Sequence, residues 1–250
     1  MTESFPVSSC GGTLKPNQWY VWAIRLVFTN GTTQPVLSYF KTSGSGVKMV
    51  SAGGMHSCAL KADGNVICWG NNDSGQATPP SGTFTQISAG FSHTCGLRTD
   101  GTLVCWGLSS GLGNAPPGTT VTPPGGPTFK QVVASWGYTC GLKTDGAIQC
   151  WNKNPTFSGT VTQLGASPNS AHICALKTDG TVGCWGLNKV WSETIPTSGT
   201  FSQLSGICGV KTDATVTCWR STAYGETMPP IMPPSGTFSQ VSSLCLRNKD

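Results

Sequence analysis

Cysteine and histidine are the residues of this 250-residue chain with the widest choice of chemistry: metal ligation, thiol redox chemistry, or cross-linking. Ten of the twelve cysteines fall in pairs: Cys58/Cys68, Cys95/Cys105, Cys140/Cys150, Cys174/Cys184 and Cys208/Cys218. The segments they bracket read CALKADGNVIC, CGLRTDGTLVC, CGLKTDGAIQC, CALKTDGTVGC and CGVKTDATVTC. This spacing matches no zinc pattern. The central Asp-Gly instead reads as a tight hairpin. A three-residue loop at 62–64, with Gly64 left-handed, sets Lys61 opposite Asn65 and Cys58 opposite Cys68. The cysteines then stand at a non-hydrogen-bonded rung, where Cα atoms approach to about 4.5 Å, within disulfide reach. Five hairpin-spanning disulfides are therefore expected. The plainer alternative is reduced cysteines packed as small core residues.

The histidines share one slot. His56, His93 and His172 each lie two residues before a repeat cysteine, where the third copy has Tyr138 and the fifth Gly206. They could line a common channel as a ligand or metal site. The favoured reading is a hydrogen bond repeated inside each unit, since repetition alone produces such alignment. Asp63, Asp100, Asp145, Asp179, Asp213 and Asp250 occupy the turn slot, which leaves Glu3, Asp73, Glu193 and Glu226, no two adjacent. No general acid/base pair emerges, nor a nucleophile elbow or phosphate loop. The chain reads as a non-enzyme without cofactor or metal. Lys61, Arg98, Lys143, Lys177, Lys211 and Arg247 could form a basic ring, but local neutralisation by the turn acids is the simpler reading. Asn30 and Asn72 head glycosylation sequons.

The elements that would position these residues are strands. An extended start precedes each cysteine pair: VKMV (47–50), FTQI (84–87), FKQV (129–132), VTQL (161–164), FSQL (201–204) and, for a sixth copy, FSQV (238–241). A tryptophan follows each second cysteine: Trp69, Trp106, Trp151, Trp185 and Trp219. Alternation places Cys58, Leu60, Val66 and Cys68 on one face and Ala59, Ile67 and Trp69 on the other. Both faces are apolar, so copies must stack. Charged residues make up only 10%, with 33 Gly and 17 Pro; this composition implies an all-β chain of short strands and turns. The net charge of +5 is scattered, which argues against nucleic-acid binding. No apolar run is long enough to span a membrane. The cysteine content points to an oxidising compartment, extracellular or cell-surface. The opening MTESFPVSSC lacks a secretory signal, so a processed or partial product is expected.

Residues 50–70, VSAGGMHSCALKADGNVICWG, and 87–107, ISAGFSHTCGLRTDGTLVCWG, resemble repeats of the regulator of chromosome condensation family. The resemblance implies a β-propeller of about six blades, with seven allowed, over residues 46–250. Cysteine pairing resembles the extracellular relatives, such as plant crinkly-type receptor ectodomains and bacterial surface proteins. The nucleotide-exchange activity of the nuclear proteins is not carried over, because their strands have apolar residues where this chain has cysteines. Such propellers commonly close by pairing their termini. Residues 5–12 would then complete the last blade, and Cys10 would bond Cys245.

Residues 14–44 resemble the C-terminal half of a fibronectin type III domain. Leu14, Pro16 and Tyr20 match its tyrosine corner, with strands at Trp19–Phe28 and Val36–Thr42. Residues 1–45 are thus expected to be a partial Ig/fibronectin-like β-sandwich segment with a linker. Its apolar residues Trp22, Ile24, Val27 and Phe40 would need covering. The functional expectation is a structural protein whose partner is another protein chain, through homo-oligomeric or filamentous assembly by this segment. The alternative is a receptor- or lectin-like module for a glycan or other ligand. Tyr224, Met228, Ile231 and Met232, in the long connection 221–238, are a second contact candidate.

Overall fold

The structure is a computed structural model. It describes residues 19–27, 33–41, 46–108, 120–121, 128–151, 158–168, 172–186, 199–206, 208–218, 238–242 and 245–248. Every element among them is a β-strand. β1 (Trp19–Val27) and β2 (Thr33–Lys41) form a two-stranded antiparallel sheet. Six small antiparallel sheets follow, one per repeat. The first is β3 (Val47–Ala52), β4 (His56–Lys61) and β5 (Val66–Gly70). The second is β6 (Phe84–Ala89), β7 (His93–Arg98) and β8 (Leu103–Gly107), extended by β9 (Thr120–Val121). The third is β10 (Phe129–Ala134), β11 (Thr139–Lys143) and β12 (Ile148–Trp151). The fourth is β13 (Val161–Ala166), β14 (His172–Lys177) and β15 (Val182–Gly186). The fifth is β16 (Phe201–Ser205), β17 (Cys208–Lys211) and β18 (Val216–Cys218). β19 (Phe238–Ser242) and β20 (Cys245–Asn248) form the sixth. Each of these six packs on the next in sequence order. These are the blades of a β-propeller.

The hairpins form for local reasons. In the first blade Lys61 N–H donates to the Asn65 carbonyl (2.8 Å) and Gly64 N–H to the Lys61 carbonyl (3.0 Å). Gly64 has φ +85°, where a side chain is unfavourable. The Asp63 carboxylate accepts the Asn65 N–H (2.9 Å) and closes the turn. Glycine recurs in this slot at 101, 146 and 180, but the fifth blade has Ala214, at φ +67°. With the turn set, the register places Cys58 opposite Cys68, and likewise in the next four blades.

Side-chain volume is balanced within the first five blades. A Cβ on Gly96 would lie 2.5 Å from the Phe84 ring, one on Gly141 2.5 Å from Phe129, and one on Gly209 2.6 Å from Phe201. Blades one and four instead have Val47 and Val161, paired with Ala59 and Ala175. In these five blades a large residue on the first strand thus goes with glycine on the second, and a smaller one with alanine; the sixth departs from this, with Phe238 and Leu246 in the two slots. Trp106 and Trp151 lean on Phe84 and Phe129, with ring centroids 5.9 and 5.8 Å apart.

The core runs as a series of apolar seams, of which the clearest lies between blades one and two. There Cys58 and Leu60 meet Phe84, Ile87, Val104 and Trp106. A bulge in each first strand shifts register between its first and third residues, as between Phe84 and Gln86. It turns the second residue outward and aims the third at the next blade. Gln131 Nε2 donates to the Leu164 carbonyl (2.8 Å) while its Oε1 accepts the Leu164 N–H (2.7 Å). Gln86 makes the same pair of bonds to Val132, and Gln163 to Leu204. Ser51 and Ser88 hydroxyls accept from Ala89 and Ala134 N–H, each at 2.9 Å. The first strand of a blade has an edge without a strand partner, and side chains of the preceding blade satisfy it.

Candidate interaction surfaces

Disulfides join Cys58–Cys68, Cys95–Cys105, Cys140–Cys150, Cys174–Cys184 and Cys208–Cys218, with Cα–Cα distances of 4.0–4.1 Å. Cys95 and Cys105 are fully buried, whereas Cys208 and Cys218 are half-buried. Cys10 lies outside the described residues. Cys245 is placed on β20 opposite Ser242, and its side chain is likewise outside them.

The histidines correct the sequence reading. Their hydrogen bonds cross between blades: His56 Nε2 meets Thr94 Oγ1 at 2.6 Å, and His93 Nε2 meets Thr139 Oγ1 at 2.9 Å. Neighbouring strands within a blade occupy each other's backbone edges, so the ring reaches across to the next blade. The Thr94 hydroxyl donates to the Gln76 carbonyl (3.2 Å), so His56 must donate from Nε2 and leave Nδ1 bare. That Nδ1 is buried without a partner. Burial lowers the pKa of His56 to about 4, and burial, with the neighbouring His56 charge, does the same for His93. Both are neutral structural groups. In the third blade Tyr138 replaces histidine, and in the fourth Ile173 replaces threonine; both are buried in one apolar cluster. His172 is buried. No cluster of three metal-ligating side chains occurs among the described residues.

The hairpins mark one face of the propeller. Asp63, Asp100, Asp145, Asp179 and Asp213 each accept a backbone N–H within their own turn. Hydrogen bonds from Asn65, Thr102, Thr181 and Thr215 hold the Asp63, Asp100, Asp179 and Asp213 carboxyls below the usual range; the basic neighbour contributes less. The acids therefore serve the turns before they neutralise the bases. Arg98 lies over the Phe84 ring, 5.8 Å from its centroid, and donates from Nη2 to the Ser81 carbonyl (3.2 Å).

The opposite face has a different chemistry. The loops between its first and second strands, 53–55, 90–92, 135–137 and 167–168, contain no charged residue, while exposed Asp73 lies at the same end of the blades, where Asn71 N–H donates to the Met55 carbonyl (2.9 Å). Met55 (59%), Trp136 (51%) and Leu108 (44%) are exposed there. Phe91 meets Trp136 edge-on, with ring centroids 6.3 Å apart. Sequence reasoning missed this cluster. The signal available was Gly54, Phe91 and Trp136 at one aligned loop position.

Asn72 sits in a turn, where its Oδ1 accepts Ala77 N–H (2.9 Å) and its Nδ2 donates to Thr78 Oγ1 (3.0 Å). Trp22, Ile24, Val27 and Phe40 lie on β1 and β2, with their side chains outside the described residues. Asn30, Tyr224, Met228, Ile231 and Met232 are also outside them.

The blades define a β-propeller built from cysteine-paired repeats. Residues 47–76 and 84–111 match the family model described as the regulator of chromosome condensation (RCC1) repeat. Blades one and two are thus similar to that repeat. A comparison with curated proteins finds no match. Among solved structures, the ectodomain of the Physcomitrella patens receptor kinase CR4 aligns at TM-score 0.65 and 19% identity, over 88% of this chain and 64% of that one. The chain thus spans less than two thirds of that ectodomain. The CRINKLY WD40 ectodomain of the Arabidopsis thaliana receptor kinase ACR4 aligns at TM-score 0.60 and 25% identity, over 77% and 72%. Prp20p of Saccharomyces cerevisiae shares the fold at TM-score 0.51 and 17% identity, over 62% and 48%.

Proposed function

We propose that this chain is an extracellular or cell-surface propeller module, without catalytic activity, that associates with other protein chains. Five intrablade disulfides support the compartment, as does the likeness to receptor-kinase ectodomains. The finer reading is self-assembly through residues 1–45 in a fibrous or surface structure. One observation carries it: β1 and β2 pair along nine rungs, from Trp19↔Lys41 to Val27↔Thr33, with no third strand among the described residues. A lone two-stranded sheet is marginal in water, and its open edges invite strand addition from a neighbour. A head-to-tail contact of that kind grows an open filament. Light scattering of the full oxidised chain tests this. Polymer or dimer should form, and deletion of residues 1–45 should leave a monomeric propeller. A full chain that stays monomeric at high concentration overturns the assembly reading. The second reading, a receptor- or lectin-like module, is favoured by the exposed Trp136 face.

A further inference from the structure

We propose that Asp145, in the turn of the third blade, is a modification site: the first of the turn aspartates to convert to isoaspartate, by attack of the Gly146 nitrogen on its carboxyl. The reaction uses water and no enzyme. The Gly146 nitrogen gives up its proton and bonds to Asp145 Cγ, and that proton leaves as water with the carboxyl hydroxyl. Water then opens the cyclic imide at either carbonyl. Opening at the Asp145 main-chain carbonyl routes the backbone through Cβ and Cγ and leaves isoaspartate; opening at the other restores aspartate. Glycine after the aspartate keeps the approach clear of a side chain. Four turns have this pair: Asp63-Gly64, Asp100-Gly101, Asp145-Gly146 and Asp179-Gly180. In the fifth turn the Ala214 methyl stands in the way.

The four glycines are held alike. Each N–H donates at 3.0 Å to the carbonyl of the basic residue that opens its turn, Lys61, Arg98, Lys143 or Lys177. Each glycine also lies under a threonine leading into the next blade: Thr83, Thr128, Thr160 or Thr200. Gly146 is buried and the other three are half-buried, but all four carboxyls are exposed, so water reaches each of them. The carboxyls are what differ. Asp100 accepts both the Thr102 N–H (2.8 Å) and its hydroxyl (2.7 Å). Asp179 accepts the same two groups of Thr181 (2.9 and 2.6 Å). Asp63 accepts the Asn65 N–H (2.9 Å) and a bond from the Asn65 side chain. Position 147 is alanine, so Asp145 accepts the Ala147 N–H (2.9 Å) and, among the described residues, no second donor. A second donor protects in two ways. It restrains the carboxyl from swinging towards the glycine nitrogen, and it favours the charged carboxylate, whose oxygen is a poor leaving group. Isomerisation at Asp145 would also reach beyond its turn. An added backbone atom displaces the Gly146 carbonyl, which accepts the Val161 N–H (3.3 Å) at the joint with blade four.

The test ages the full oxidised chain for weeks in heavy-oxygen water at mildly acidic pH, then maps isoaspartate by peptide mass spectrometry. Each turnover through the imide adds one heavy oxygen at the aspartate concerned. Isoaspartate should accumulate at Asp145 roughly 3- to 10-fold faster than at Asp63, Asp100 or Asp179, the worth of one hydrogen bond. Ala147→Thr should slow Asp145 to the rate of Asp100, and Thr102→Ala should raise Asp100 to the rate of Asp145. Threonine already fills this position in blades two, four and five, so the turn accepts it, and a melting curve of each variant checks that the fold is kept. In the reduced chain unfolded in urea the four rates should converge, because the protecting bonds are gone. Equal rates in the folded chain, or a faster rate at another turn, overturn the proposal. So does an Ala147→Thr variant that isomerises as fast as the parent, or a ranking that survives unfolding, which would assign the preference to neighbouring residues and not to the turn.

Discussion

Phe84 occupies the space that a side chain on Gly96 would need: a Cβ there would stand 2.5 Å from the ring. Phe84 is almost fully buried and cannot swing away. Gly96→Ala should therefore destabilise the propeller by about 1–3 kcal/mol through overpacking. Combining it with Phe84→Val recreates the Val47/Ala59 pair of the first blade. Denaturant melts should then show the two changes compensating, with a coupling of roughly 1–3 kcal/mol. Strict additivity would mean that the two residues do not share the space.

Ala214 is the one non-glycine residue with positive φ among the described residues. A left-handed residue with a side chain costs about 1–2 kcal/mol, part of which is offset by the freedom glycine has when unfolded. Ala214→Gly should stabilise the chain by about 0.5–1 kcal/mol. Thermal melts of the oxidised protein would register this as a higher midpoint, and an unchanged or lower one would contradict it.

Gln131 holds both backbone groups of Leu164. Gln131→Leu would leave a buried N–H and carbonyl without partners, at roughly 1–3 kcal/mol for each orphaned group. Hydrogen exchange should rise first at Leu164, on the edge shared by blades three and four. Met49 holds the equivalent place in blade one and cannot make this clasp.

His56 and His93 carry folded pKa values of about 4, below the ordinary 6.5. Between these values the unfolded chain binds more protons than the folded one, so stability rises with pH. Their contribution is complete above pH 6.5 and is lost as the pH falls towards 4, at up to about 3 kcal/mol per histidine. The turn aspartates act in the same direction but in a lower window, below their ordinary 3.8. Urea melts between pH 7.5 and 4.5 should show the slope, and it should flatten in His56→Gln/His93→Gln. A slope that persists in that double variant would assign the acid sensitivity elsewhere.

Local chemistry made much of the blade legible. Asp63 and Gly64 define a three-residue turn, the turn defines the register, and counting outward puts Cys58 opposite Cys68; no distant residue is needed. The same logic recurs in each repeat and yields an all-β chain of stacked hairpins. The exchange of Phe84/Gly96 for Val47/Ala59 was also written in the repeats, but only the packing shows that those two slots touch. What tertiary structure decided lies between blades. His56 bonds Thr94, and Gln131 bonds the backbone of Leu164, across sequence separations of 38 and 33 residues. A strand's hydrophobic alternation says which face is buried and leaves open which neighbour's edge a side chain will reach. The exposure of Trp136 depends likewise on three loops brought side by side, because a tryptophan in a turn is apolar by type and becomes surface only through what its neighbours fail to cover.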